Sequence, residues 1–234
     1  MIRLDKLLSN MGFGSRKDVK QLIKSGAVTV DGEPVCGSEF KLNPDCQTVC
    51  VSGSPVRYQR YVYLMMNKPA GVLSATEDAR GAATAVDLVG EDFAHYHLTP
   101  AGRLDKDSEG FLLLTNDGAF VHAVITPERH VPKEYVCFLD RTPNSEDIEA
   151  FAQGITLGDG YRCMPARLAV ETACYGTVTI CEGKFHQVKR MFSARGIQVL
   201  LLKRTAIGGV RLDTGLLPGA YRELTAEEKE EILK

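Results

Sequence analysis

The sequence predicts an α+β protein in two parts: a small N-terminal domain over residues 1–58 and a larger domain over 59–234 with a mixed, mainly antiparallel sheet flanked by helices. Three observations predict it. At 234 residues the chain is too long for one minimal module and short for two full ones. A polar, turn-forming stretch at residues 52–59, SGSPVRYQ, separates two differently patterned regions. Beyond it, apolar strand-like runs often follow one another directly, so the strict strand–helix alternation of a parallel sheet is missing.

Within the first part, residues 3–9 have the apolar spacing of a short amphipathic helix. Ser15 is placed to cap a second helix over 16–25, which Gly26 closes as its C′ residue. Arg16, Lys17, Lys20 and Lys24 recur there at three- to four-residue spacing, so most share one helical face. The following AVTVDGEPV is a hairpin signal, two apolar runs around Asp31-Gly32. In the second part, strands are expected at 61–66, 111–114, 134–139, 167–171, 177–181 and 199–203. Helices are expected near 119–125, 145–153, 187–195 and 226–233, the last with a capping box of Thr225 and Glu228.

Composition narrows the function classes. With 44% hydrophobic and 25% charged residues, and no run near the roughly 18 apolar residues of a membrane helix, a globular cytoplasmic protein is expected. The N-terminal MIRLDKLLSN is charged where a signal peptide would carry its apolar core. Seven cysteines without CxxC spacing read as reduced structural thiols. His95 and His97 have no Cys or carboxylate spaced to complete a metal site, so packing or surface histidines are expected. A formal charge of −2 argues against wholesale polyanion binding, but its distribution does not. Residues 1–24 hold six basic side chains against two acidic, and residues 182–204 six against one, so two local patches point to a nucleic-acid backbone.

Three glycine-punctuated segments carry the candidate chemistry. In NKPAGVLS, Lys68-Pro69 ends a strand and Gly71 permits a tight turn close to a ligand or another segment. In AGRLDKDSEG, just before the apolar FLLLT, Asp105 and Asp107 suggest an acid–base pair, a DxDx phosphotransfer site, or one reactive carboxylate held by a neighbouring cation. The phosphotransfer reading fits poorly, since that motif follows its strand and here the strand comes after. In EGKFHQVKRMF, no P-loop is present, because Val178 stands where GxxxxGK needs glycine. What remains is a turn into a helix carrying His186, Gln187, Lys189 and Arg190, donors suited to a phosphate or carboxylate.

In this order the segments resemble the motifs of the RNA pseudouridine synthases. AGRLDKDSEGFLLLT is similar to the catalytic GRLD motif, Lys68-Pro69-x-Gly71 to the first motif and EGKFHQVKRM to the third. The N-terminal RLDKLLSNMGFGSRKDVKQLIKSGAVTVDGEPV resembles the α-L RNA-binding domain. HQVKRM and the closing IGGVRLDTGLLPGAYRELT point to the small-subunit branch of the family. The resemblance implies an α-L RNA-binding domain followed by a catalytic domain of two subdomains around a cleft, isomerising uridine to pseudouridine with no cofactor and no metal. It implies Asp105 as the essential carboxylate, leaving open attack at ribose C1′, addition at uracil C6 or removal of a ribose proton. Tyr135 then stacks on the uracil, and Lys189 pairs with Asp105 and keeps it charged. Arg103 fills the space of the flipped base.

RNA contacts are expected at Arg103, Arg16, Lys17, Lys20, Lys24, Lys68, His186, Gln187 and Arg190. Asp107 becomes a turn or supporting residue, and Ser108, where many relatives have threonine, should keep a local hydroxyl hydrogen bond. The implied partner is 16S rRNA, as a partly assembled small-subunit particle modified at the family's uridine 516, and the protein is expected to act as a monomer. A synthase for another rRNA site, a non-catalytic RNA-binding assembly factor and an Asp105/Asp107 hydrolase remain as alternatives.

Overall fold

The computed structural model describes all residues from Met1 to Lys234 and divides into two compact units. The first comprises residues 1–62 together with 90–97. It contains β1 (Ile2–Arg3), α1 (Leu4–Asn10), α2 (Arg16–Lys24), β2 (Val28–Val30), β3 (Glu33–Pro34), β4 (Lys41–Leu42), β5 (Val49–Val51) and β6 (Ser54–Pro55). Helix α2 starts where Ser15 and Asp18 exchange hydrogen bonds in a capping box. Beyond its end Gly26 takes φ 79°, the left-handed conformation that glycine tolerates best. Asp31 (φ 53°) and Gly32 (φ 88°) turn β2 into β3, as the hairpin signal requires. Leu4, Leu7, Leu8, Val19 and Ile23 bury the inner faces of both helices against Val28, Val49 and Leu42. That packing leaves Arg16, Lys17, Lys20 and Lys24 exposed.

The second unit spans residues 63–89 and 98–234. Its strands are β7 (Tyr63–Lys68), β8 (Thr99–Pro100), β9 (Glu109–Thr115), β10 (Lys133–Leu139), β11 (Arg167–Thr172), β12 (Tyr175–Ile180), β13 (Val199–Ile207), β14 (Val210–Arg211) and β15 (Tyr221–Glu223). Its helices are α3 (Gly118–Ile125), α4 (Ser145–Gln153), α5 (Gln187–Ser193) and α6 (Ala226–Glu231). One nine-stranded sheet runs β11-β12-β10-β13-β9-β7-β15, with β14 on β13 and β8 on β9. Every pairing is antiparallel except β13 with β9.

The uninterrupted FLLLT run lies in β9, and Phe111 to Thr115 are all fully buried, as expected of a strand covered on both faces. Met65, Phe111, Leu113, Val124, Val131 and Ile232 form the core beneath α3 and α6. Helix α4 is started by an Asn144–Asp147 capping box and is anchored to α5 by the Phe151–Phe192 ring contact at 4.8 Å. Thr225 and Glu228 cap α6 as expected. No helix is long and apolar enough to cross a membrane.

Candidate active site

The loop 101–108 enters β9 and is held through both its carbonyl oxygens and its amides. Ser74 Oγ donates to Leu104 O at 2.9 Å and accepts from Leu104 N at 3.0 Å. Gly71 N donates to Lys106 O at 2.7 Å. Arg204 Nη1 reaches Arg103 O at 3.4 Å, and Ser108 N closes a turn on Asp105 O at 3.1 Å. The loop backbone is therefore anchored on both sides of Asp105.

Lys68 completes this brace, and its position corrects one expectation. It is not an RNA contact: the side chain is fully buried, and Nζ donates to Pro69 O and Ser108 O at 2.8 Å and to Lys106 O at 3.4 Å. An ammonium has three donors and no acceptor, so one lysine can gather three carbonyls. Burial pushes its pKa down to about 8.

Asp105 lines a cleft of about 630 Å³ in the second unit, together with Arg103, Ser108, Tyr135, His186 and Arg204. Its carboxylate is 22% exposed and lies 3.4 Å from His186 Nε2 and 3.6 Å from Lys189 Nζ. Lys189 is nearer to Asp107, which it hydrogen-bonds at 2.5 Å. The cation thus bridges both carboxylates and does not pair with Asp105 alone. Asp107 carries the shorter contact, and the Lys189 hydrogen bond lowers its pKa. Sequence reasoning made Asp107 mere support for the turn; the structure makes it the anchor of the cation.

Two further expectations change, at Gln187 and at Ser108. Gln187 is almost fully buried, so it does not face RNA. Its amide donates to Glu182 at 2.7 Å while its carbonyl oxygen accepts from Lys184 N at 2.8 Å. Arg190 is half engaged within the chain, pairing with Asp159 at 2.5 Å and donating to Phe185 O at 3.3 Å. The buried Glu182 organises this turn, accepting also from Tyr161 Oη at 2.6 Å and Met164 N at 2.8 Å. Ser108 Oγ makes no hydrogen bond within the protein, contrary to the local bond expected of it.

Sequence reasoning missed Arg204 as a site residue. On β13 it is buried, without a carboxylate partner, with Nε donating to Phe111 O at 2.7 Å and Nη1 reaching Tyr135 Oη at 3.4 Å. An arginine inside the apolar run VLLLKRTAI was the available signal, since such a residue is expelled from a core unless it is used. Tyr135, on β10, is opposite Arg204 in the register and almost fully buried in the cleft floor. The second unit thus brings Asp105, Tyr135, Lys189, His186 and Arg103 together, while the α2 cations belong to the first unit. No group of three or more His, Cys, Asp or Glu side chains is arranged to hold a metal ion.

A partly exposed carboxylate beside a cation, in a cleft that a buried tyrosine also lines, suits covalent or proton-transfer chemistry. Comparison with known proteins agrees. A family model described as RNA pseudouridylate synthase matches residues 62–194, and one described as the S4 domain matches residues 2–44. The uncharacterized RNA pseudouridine synthase YtzG of Bacillus subtilis strain 168 is 50% identical over 231 residues, covering 97% of this chain and 96% of that one. Ribosomal small subunit pseudouridine synthase A of Escherichia coli strain K12 is 40% identical over 229 residues, covering 97% and 98%. A crystal structure of a pseudouridylate synthase superposes with a TM-score of 0.70 at 33% identity, covering 99% of this chain and all of that one. With matches of this extent in both units, the chain belongs to the RNA pseudouridine synthases, isomerases of RNA uridine, and carries an S4 domain ahead of its synthase domain.

Proposed function

We propose that this chain isomerises one uridine of 16S rRNA to pseudouridine during small-subunit maturation in the cytoplasm, as a monomer without a cofactor. The target proposed is the uridine 516 that the small-subunit branch modifies. The near full-length similarity to a ribosomal small subunit synthase supports the substrate. The observation that carries the chemistry is the placement of Asp105, partly exposed in a cleft it shares with Tyr135 and 3.6 Å from Lys189.

The reaction balances internally. The N1–C1′ bond breaks, a C5–C1′ bond forms, C5 loses a proton and N1 gains one, so no electrons or outside atoms are needed. Asp105 is the essential carboxylate, with the Lys189 ammonium 3.6 Å away. Tyr135 supplies the ring face for the uracil and the acceptor for the C5 proton. A stacked base cannot reach this cleft, so the uridine flips, at a cost of a few kcal/mol that Arg103 partly offsets by occupying the vacated space.

Incubation with small-subunit rRNA tritiated at uracil C5 should release tritium, and Asp105→Asn should lower release at least 1000-fold while RNA binding persists. Failure of the wild-type chain to release tritium from any precursor particle sinks the proposal. A second reading is a synthase for another rRNA site; the 50% identical relative is named only an RNA pseudouridine synthase. Mapping the modified nucleotide separates the two.

A further inference from the structure

We propose that the ring pair Phe185–His186 at the cleft is a stacking platform for a nucleobase of the substrate RNA neighbouring the reacting uridine; this rests on the reading that the cleft takes an RNA uridine. Phe185 is 70% exposed, the most exposed aromatic side chain of the protein, although a large apolar ring ordinarily withdraws from water. It is held in solvent by its surroundings. The Phe185 and His186 rings are stacked, with centroids 3.8 Å apart and planes 17° apart.

The backbone beneath the stack is pinned on both sides. Lys184 N donates to Gln187 Oε1, Gln187 N donates to Lys184 O, and Phe185 O accepts from Arg190. His186 itself takes φ 48°, a left-handed conformation that a non-glycine residue adopts only when its neighbours impose it. Its Nε2 lies 3.4 Å from Asp105, so the stack is tied to the carboxylate proposed for the chemistry. A preorganised exposed ring is what a stacking contact needs, because little conformational freedom is lost on binding.

The occupant follows from shape and charge. One flat ring is far too small for a protein interface, which buries several hundred Å² per partner. A nucleobase matches it, since every base has a π-face. The exposed cations Lys184 and Arg103 line the same cleft and suit the phosphates on either side of that base. Bases splayed from single-stranded RNA are commonly held in this way.

The test uses the full chain in two measurements. With tritiated small-subunit rRNA, Phe185→Leu should raise the RNA concentration for half-maximal release roughly five- to hundredfold, with a smaller effect at saturation. Phe185→Trp should restore it to within about twofold, which a merely structural role would not produce. With a single-stranded RNA carrying 2-aminopurine beside a uridine, the wild-type chain should quench the fluorescence and Phe185→Leu should not. Wild-type behaviour of Phe185→Leu in the quench overturns the platform. If the wild-type chain releases no tritium from rRNA, the 16S reading fails while the quench still decides the platform.

Discussion

Lys68, buried, and Lys133, half-buried, show what a charged side chain does when it is drawn in for its donors. Lys133 Nζ donates to Val124 O at 2.9 Å and Val131 O at 2.7 Å, satisfying a carbonyl in the last turn of α3, while Lys68 serves the loop 101–108. Burial lowers each pKa from 10.5 to about 8. The sign follows from linkage: between these values the unfolded chain binds more protons, so stability rises with pH there. The desolvation penalty is fully present below about pH 8 and is relieved as pH rises toward 10.5. The urea stability of the wild type relative to Lys133→Met should therefore increase by on the order of 1–2 kcal/mol between pH 8 and pH 10. A flat or falling difference would show that the ammonium is not desolvated.

At the scale of elements, the one parallel pairing of the sheet determines how the site is assembled. Strands β9 and β13 pair over only Glu109↔Lys203 and Gly110↔Arg204, yet this contact sets Arg204 against Phe111, Arg103 and Tyr135. Gly110 has φ 100°, and a Cβ there would collide with the Arg204 carbonyl oxygen. Gly110→Ala is expected to cost about 3 kcal/mol or more, because both the conformation and the strand spacing forbid it. For a chain of this size that is a fall in Tm of roughly 6 °C or more. Gly118→Ala, at the start of α3 with nothing within 4 Å of the new Cβ, should leave Tm unchanged or slightly raised. Equal effects at the two sites would refute this account.

For the whole molecule, the near-neutral total charge conceals a division of labour. Arg16, Lys17, Lys20 and Lys24 are exposed on α2, whose opposite face packs Val19 and Ile23 into the first unit's core. If they contact phosphates, each releases counterions, and log K for RNA should fall with log salt by about 0.7–0.9 per contact. Changing all four to Ala should flatten that slope by roughly two to four and weaken binding across RNA sequences alike. An unchanged slope would remove α2 from the RNA surface. By contrast, Lys68 and Gln187 are spoken for within the second unit and should not affect the slope through contact with RNA.

Local chemistry was legible along the chain wherever a residue's role depends on near neighbours. Ser15, Gly26, Asp31-Gly32 and Thr225 announced their helix and turn boundaries because caps and turns are satisfied within a few residues. The FLLLT run announced a strand buried on both faces, and the ordered motifs announced the synthase family. Contacts between distant segments could not be read in this way. That Lys68 turns inward to Ser108, that Asp107 takes the shorter contact with Lys189, and that Arg204 sits beside Tyr135 all depend on contacts across 40, 82 and 69 residues. An exposed and a buried lysine look alike in sequence; burial and partnership are properties of the packed chain, so only the tertiary structure decided which charges brace the site and which face the cleft.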